Sequence, residues 1–322
     1  MNLRKHSGFW LSFLVVFLGG LVILVLRQDT LREEAFTVLM FVGLASSLNI
    51  LMGYTGYVNF GHIVFFGLGG YFGFYLLSEL GWPVYLAALG GGVLSAVIAY
   101  IIGAAVLRLR GAYFALATIG VNEAARAFVS NFEPFGGSTG LYVNFSAYDR
   151  YGGAGQALWF TFILLWLVAL AVIVVSYLVK RSRFGLGLSA IREDEDTAMV
   201  MGVKAPQDKT KAFMISAFFP GLIGTLYFFK NGNVEPDDAF RFQMSLEILV
   251  MVMLGGRGLL FGPIFGAFAY ERLRGYLITS PIFKDLHLAL SGLILLLIVL
   301  FVPGGVVGWF RERFPQLRRW LE

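Results

Sequence analysis

The chain of 322 residues predicts an all-α integral membrane protein: a bundle of about ten transmembrane helices with both termini on the cytoplasmic side and a short cytoplasmic helix in its longest polar loop. Three observations carry this. Hydrophobic residues make up 58% of the chain and charged residues only 14%, where a soluble domain has about a quarter charged. The apolar residues fall in runs near the ~20 needed to cross a ~30 Å hydrocarbon core as helix. Sixteen of the 25 Lys and Arg residues gather on one side when the N-terminus is placed inside, eight fall on the other, and Arg126 lies within a run. The formal charge of +5 is therefore a topology signal and not a nucleic-acid footprint.

Residues 9–26 form the first run, too long for a signal-peptide core and followed by no small-residue cleavage site. Residues 35–52 return the chain to the inside. The run 57–78 is unusual, because the stretch Gly53 to Phe74 holds seven glycines together with Asn59 and His62. Each glycine costs roughly 1 kcal/mol in a helix relative to alanine, and an unsatisfied polar group in hydrocarbon costs several. Such a segment belongs inside the bundle, broken or tightly packed, beside a water-accessible route. Gly69 and Gly73 have the small-xxx-small spacing that lets backbones approach, and Gly90 to Gly92 in the run 83–106 serve the same end. Residues 112–130 carry Asn122, Glu123 and Arg126. A polar group at membrane depth faces a bundle interior or a wet cavity. Asn59, His62, Asn122 and Glu123 are accordingly candidates for a translocation pathway, against the alternative of quiet internal pairing, as between Glu123 and Arg126 three residues apart.

Residues 131–156 are rich in glycine, aromatic and turn-forming residues and predict an outer loop with some ordered structure. After the run 157–179 comes the polar insertion 180–211, "KRSRFGLGLSAIREDEDTAMVMGVKAPQDKTK". Within it Ser189 is positioned to cap a helix running to about Met201, with the acidic run Glu193, Asp194, Glu195 and Asp196 where the helix dipole favours negative charge. Gly202 ends that helix and Pro206 prevents its restart. This segment is either a handle for another protein or a plain connector. Runs at 210–229, 243–256, 259–278 and 286–303 complete the count, with 243–256 short enough to be re-entrant and Gly262 and Gly266 again at packing spacing. The tail 309–322 places Phe310, Phe314, Leu317 and Leu321 at near-helical spacing among arginines, which predicts an interfacial anchor. The whole chain, 1–322, reads as a single transmembrane domain.

Enzymatic motifs are absent or out of context. The absence of cysteine excludes disulfides and thiolate metal sites, and His6, His62 and His287 offer no pair at ligand spacing, so no metal site and no catalytic residue is expected. "GGSTG" at 136–140 fits a nucleophile elbow without its strand, turn and helix, and "GGRGLLFG" at 255–262 lacks the βαβ unit of a dinucleotide site. Nowhere does the chain hold the glycine-rich loop and lysine that bind ATP phosphates.

The stretches "SLNILMGYTGYVNFGHIVFFGLGGY", "LRLRGAYFALATIGVNEAARAFVSNFEPFGGSTGL", "AIREDEDTAMVMGV" with "KAFMISAFFPGLIGTLY", and "GGRGLLFGPIFGAF" resemble the permease subunits of branched-chain amino acid ABC importers, the longer of the two permeases above all. The resemblance runs from about Ser47 to Phe268, with several separated motifs in the same order. In the wider importer group a cytoplasmic helix with the pattern E-A-A-x-x-x-G docks on the ATP-binding subunit. Here Asp196, Thr197 and Ala198 followed by Gly202 match it with Asp for Glu and Thr for the first Ala, and the I-x-L-P continuation is absent, since residues 212–215 read "AFMI". The resemblance implies that Ile191, Arg192, Glu193, Asp194, Glu195, Asp196, Thr197, Ala198 and Gly202 couple the chain to an ATPase. It also implies a second related permease, two ATP-binding subunits that hold ATP and Mg²⁺, an external solute-binding protein, and residence in a bacterial or archaeal inner membrane. A permease for urea or short amides is the nearest alternative in this class. An ion-coupled secondary transporter or channel is the rival from another class, and it ordinarily carries charged relays at mid-membrane.

Overall fold

A computed structural model describes residues 7–144, 146–279 and 304–313, with positions 289, 292 and 293. Among these the chain forms α1 (Ser7–Leu26), α2 (Asp29–Thr55), α3 (Ile63–Ser78), α4 (Val84–Val106), α5 (Ala112–Ser130), α6 (Ser146–Asp149), α7 (Ala154–Arg181), α8 (Arg183–Glu193), α9 (Glu195–Val200), α10 (Ala205–Asn231), α11 (Pro236–Ala239), α12 (Phe242–Gly255), α13 (Gly262–Thr279) and α14 (Gly305–Arg313). Five of them, α1, α2, α4, α7 and α10, are long and apolar enough to cross a membrane, and α3 is a shorter apolar helix. The predicted run 243–256 is the 14-residue α12, about 21 Å long at 1.5 Å per residue and short of a full crossing. The predicted run 286–303 lies outside the described residues, as do Phe314, Leu317 and Leu321 of the tail.

Helices α2 and α10 are the axis of the bundle. Over its most apolar stretch α2 is 83% buried and α10 is 78% buried, against 17% for α1, which packs on α7 and leaves most of its surface outward. Lipid tails are as apolar as leucine, so helices in a bilayer associate through close packing of small residues and not through burial of oil. Here α3, α4 and α10 meet in that way. A Cβ on Gly69 would strike the Gly221 backbone, Ser95 Oγ and the Gly91 carbonyl, and one on Gly73 would strike Thr225 and the Ala87 carbonyl. Hydroxyls reinforce the crossing, since Ser95 Oγ donates to the Phe65 carbonyl at 2.8 Å and Thr225 Oγ1 to the Gly69 carbonyl at 3.1 Å. Gly266 likewise lies against the Met251 carbonyl and the Gly255 amide, and Gly262 against Gly255 and Gly256, which holds α13 on α12. α5 is attached by one stripe, Phe114, Thr118, Asn122 and Val129, and its remaining face is open.

The loop between α5 and α7 is ordered by two single 3-10 turns, at Glu133–Phe135 and Gly137–Thr139, and by a two-residue strand, β1 (Leu141–Tyr142). β1 pairs antiparallel with β2 (Asn233–Val234) in the register Leu141 to Val234, which ties this loop to the end of α10.

Two expectations for the polar insertion are corrected. Ser189 caps nothing: its hydroxyl donates to the Gly185 carbonyl within α8, and the cap is Ser182, whose Oγ accepts from the Gly185 amide at 3.0 Å. The helix does not run unbroken to Met201 either, because Asp194 leaves it in extended conformation and caps a second helix, α9, accepting from the Thr197 amide at 2.7 Å. Gly202 does end α9, at φ +92°. Pro206 does not block a restart but opens one, in the first turn of α10, where its missing N–H has no helical partner to lose.

Candidate functional site

The predicted span 57–78 is helical only from Ile63. α2 stops at Thr55 because Gly56 turns left-handed, at φ +79°, with its amide on the Met52 carbonyl. The irregular segment 57–62 then crosses the bundle interior, where its backbone must be satisfied by side chains. The Phe60 amide donates to Thr118 Oγ1 at 3.1 Å and the Ile63 amide to Ser245 Oγ at 3.2 Å. Asn59 is buried, and its Oδ1 accepts from the Gly61 amide while Nδ2 has no partner. His62 is buried with Nε2 3.0 Å from Ser47 Oγ. That hydroxyl also donates to the Leu44 carbonyl at 2.8 Å, and the other ring nitrogen of His62, Nδ1, has no partner. Asn122 joins this region from α5, donating to the Phe240 carbonyl at 2.9 Å with its own Oδ1 unpartnered. Three buried side chains thus keep unspent hydrogen-bonding capacity around one broken span. Glu123 is not among them. It lies on the open face of α5, 3.0 Å from Arg126, which also reaches Asp237 at 3.0 Å.

The segment 183–202 folds back against the same end of the broken span. Lys209, only 2% exposed, places its ammonium on Glu195 at 2.7 Å, the Tyr57 hydroxyl at 2.8 Å and the Leu107 carbonyl at 2.9 Å, which satisfies all three of its donors. Tyr57 in turn donates to the other Glu195 oxygen at 2.6 Å. Arg110, in the short link between α4 and α5, makes a two-pronged pair with Asp196 at 2.8 and 2.9 Å. Arg192 donates to the Gly53 carbonyl at 3.1 Å and pairs with Glu193. Burial pushes the Glu195 carboxyl up, and Lys209, Tyr57 and Arg110 more than reverse this, so it ends below the usual carboxylate range. The Arg110 guanidinium lowers Asp196, and the Thr197 amide lowers Asp194.

The residues expected to form a docking surface are thereby divided. Ile191 and Ala198 are buried and serve as the foot of the loop. Glu195 faces inward, and the exposed apolar tip is Val200 at 87% and Met201 at 80%. Tyr57, Arg110, Lys209 and Val200 were not legible as site residues. The one signal for Lys209 was indirect: four acidic residues in a row require cations, and Lys204, Lys209 and Lys211 were within chain reach. Among the described residues no group of three or more His, Asp or Glu is arranged to hold a metal ion.

Comparison with known proteins gives the family of the sequence. Residues 30–299 match the family model of the branched-chain amino acid transport system permease component. The high-affinity branched-chain amino acid transport system permease proteins LivM of Salmonella typhimurium strain LT2 and of Escherichia coli K12 are each 30% identical over 89% of this chain and 71% of their own length. The probable branched-chain amino acid transport permease protein LivM of Methanocaldococcus jannaschii is 23% identical over 81% of this chain and 88% of its own. No solved structure matches. A bundle with a broken, polar-lined span and a folded-back charged loop, matched over most of its length, therefore belongs to the family of permease components of branched-chain amino acid transport systems.

Proposed function

We propose that this chain is the membrane-spanning subunit of an ATP-driven importer that carries branched-chain, hydrophobic amino acids across a bacterial or archaeal inner membrane. An external solute-binding protein delivers the solute, a second related permease completes the pathway, and two ATP-binding subunits hold ATP and Mg²⁺ and drive the cycle. The spans number about ten, with α5 and α13 as short crossings, α12 as a re-entrant segment and both termini inside. Asn59, His62 and Asn122 line the route, with Glu123 at its margin, and switching of access is a rocking of close-packed helices.

The observation that carries the reading is the α8 and α9 loop. Its Glu195 is spent inside the molecule on buried Lys209 and on Tyr57, its Asp196 makes an exposed pair with Arg110, and its tip presents exposed Val200 and Met201. A plain connector has no reason to be anchored by a buried lysine and to expose an apolar end. A contact that transmits force needs both. The test is recovery of the tagged chain from gently extracted membranes. ATP-binding subunits and a second permease are expected with the native chain, and Val200→Asp with Met201→Asp should release the ATP-binding subunits while membrane insertion persists. Recovery of a lone, ion-conducting oligomer would instead support the secondary-transporter class, and urea uptake without leucine uptake would support the amide permeases.

A further inference from the structure

A cavity of about 540 Å³ lies between the broken span and the α8 and α9 loop, within the roughly 300–1,000 Å³ of small-molecule pockets. Its two walls differ in chemistry. One is charged and is formed by Tyr57, Arg110, Arg192 and Glu195. The other is apolar and is formed by Val58, Phe60, Ala115, Leu249 and Met253, drawn from the broken span, α5 and α12. We propose that this cavity is a solute station at the loop end of the pathway, which takes an α-amino acid as the zwitterion, its carboxylate on Arg110 and Arg192, its ammonium on Glu195, and its aliphatic side chain on the apolar wall.

The charged wall is built to exchange partners. Arg110 is 52% exposed and its partner Asp196 70%, and in the second pair Arg192 is 38% and Glu193 76% exposed. Ion pairs this exposed contribute little, so an incoming carboxylate displaces Asp196 or Glu193 at small cost. Glu195 behaves differently. It is fixed by Lys209 and Tyr57 with the Arg110 guanidinium 3.7 Å away, and its oxygens keep further lone pairs for an ammonium once Arg110 turns to the incoming carboxylate. A station whose cations are already partly neutralised holds its solute weakly, which is what a place of release requires. The same residues also join the loop to the broken span, so movement of α9 alters the floor of the cavity directly. A neutral amide such as urea brings no carboxylate to the cation pair and no aliphatic chain to the apolar wall.

This inference rests on the transport reading above, and the experiment separates the two. The chain contains no cysteine, so Ala115→Cys adds a single thiol on the apolar wall. In the assembled importer, its reaction with a cationic methanethiosulfonate should slow at least fivefold in millimolar leucine and less than twofold in millimolar urea or glycine. Unchanged reaction in leucine, or an inert thiol in every nucleotide state, overturns the station while leaving leucine transport by the native chain intact. Absence of leucine uptake by the native complex overturns the transport reading itself. As a second arm, Ala115→Phe, or Ala112→Phe at a more exposed lining position, should cut leucine uptake at least tenfold and alanine uptake less than threefold. Equal loss for both solutes refutes the apolar wall.

Discussion

Glu195→Gln tests whether the loop is held by its buried ion pair. The substitution preserves shape and one acceptor but leaves the Lys209 ammonium, 2% exposed, without a counter-charge. Removing one partner of a buried pair costs about 3–5 kcal/mol, and the retained amide acceptor places this case near about 3 kcal/mol. Lys209 still keeps Tyr57 and the Leu107 carbonyl, so the cost falls on the docking of α9 and not on the bundle. A loss of about 3 kcal/mol corresponds to a fall of roughly 10²-fold in protection against amide exchange. The amides to follow are those of Thr197 and Ala198, bonded to Asp194 Oδ1 and to the Asp194 carbonyl, measured by exchange and mass spectrometry in detergent micelles. Adding Lys209→Met to Glu195→Gln removes the stranded charge and leaves the glutamine amide the Tyr57 hydroxyl as a partner, so protection should return to within about 1 kcal/mol. Exchange within threefold of native in Glu195→Gln, or a double variant as unprotected as the single, would refute the reasoning.

Other consequences are accessible to similar measurements. The Glu195 carboxyl lies below its usual value in the folded chain, so its contribution to loop docking is fully present above about pH 4.5 and is lost as pH falls through the lowered value; exchange at Ala198 should be flat from pH 7 to 5 after correction for intrinsic rates and rise below that window. Gly202→Val places a β-branched residue at φ +92° with no atom within 4 Å of its Cβ, so the penalty is conformational alone, about 1–2 kcal/mol. Solute-stimulated ATP hydrolysis of the reconstituted complex should fall while insertion is unchanged, and normal stimulation would make the loop a connector. Gly69→Leu forces apart α3, α4 and α10 at a backbone crossing, so extractable folded chain, scored by size-exclusion chromatography, should fall severalfold, whereas Gly120→Leu on the open face of α5 should be tolerated.

Hydropathy is a property of composition over a window, and that is why the membrane class and the long helices α1, α2, α4, α7 and α10 were readable before any coordinate. The broken entry to α3 was readable for a related reason, since glycine and asparagine announce where a helix is costly. Capping was harder. Ser182, Ser189 and Asp194 all have the chemistry to cap, and the choice among them depends on where the chain leaves α7 and on where α9 finds its anchor.

The largest failures concern residues whose local pattern is innocent. Lys209, in the first turns of α10, reads as a solvated charge, and Tyr57 reads as one more aromatic. Lys209 and Tyr57 lie 152 residues apart in the chain, and Lys209 and Glu195 lie 14 apart. For Glu123 the sequence left two readings open, a pathway group or a partner of Arg126, and the structure pairs it with Arg126 at 3.0 Å on the outward side of α5. Periodicity and composition report free energies that each residue settles with its neighbours in sequence or with the solvent at large. Whether a charge is buried, paired or exposed is settled by which helices cross beside it, and Coulomb attraction at 2.7 Å depends on that crossing and on nothing in the local pattern.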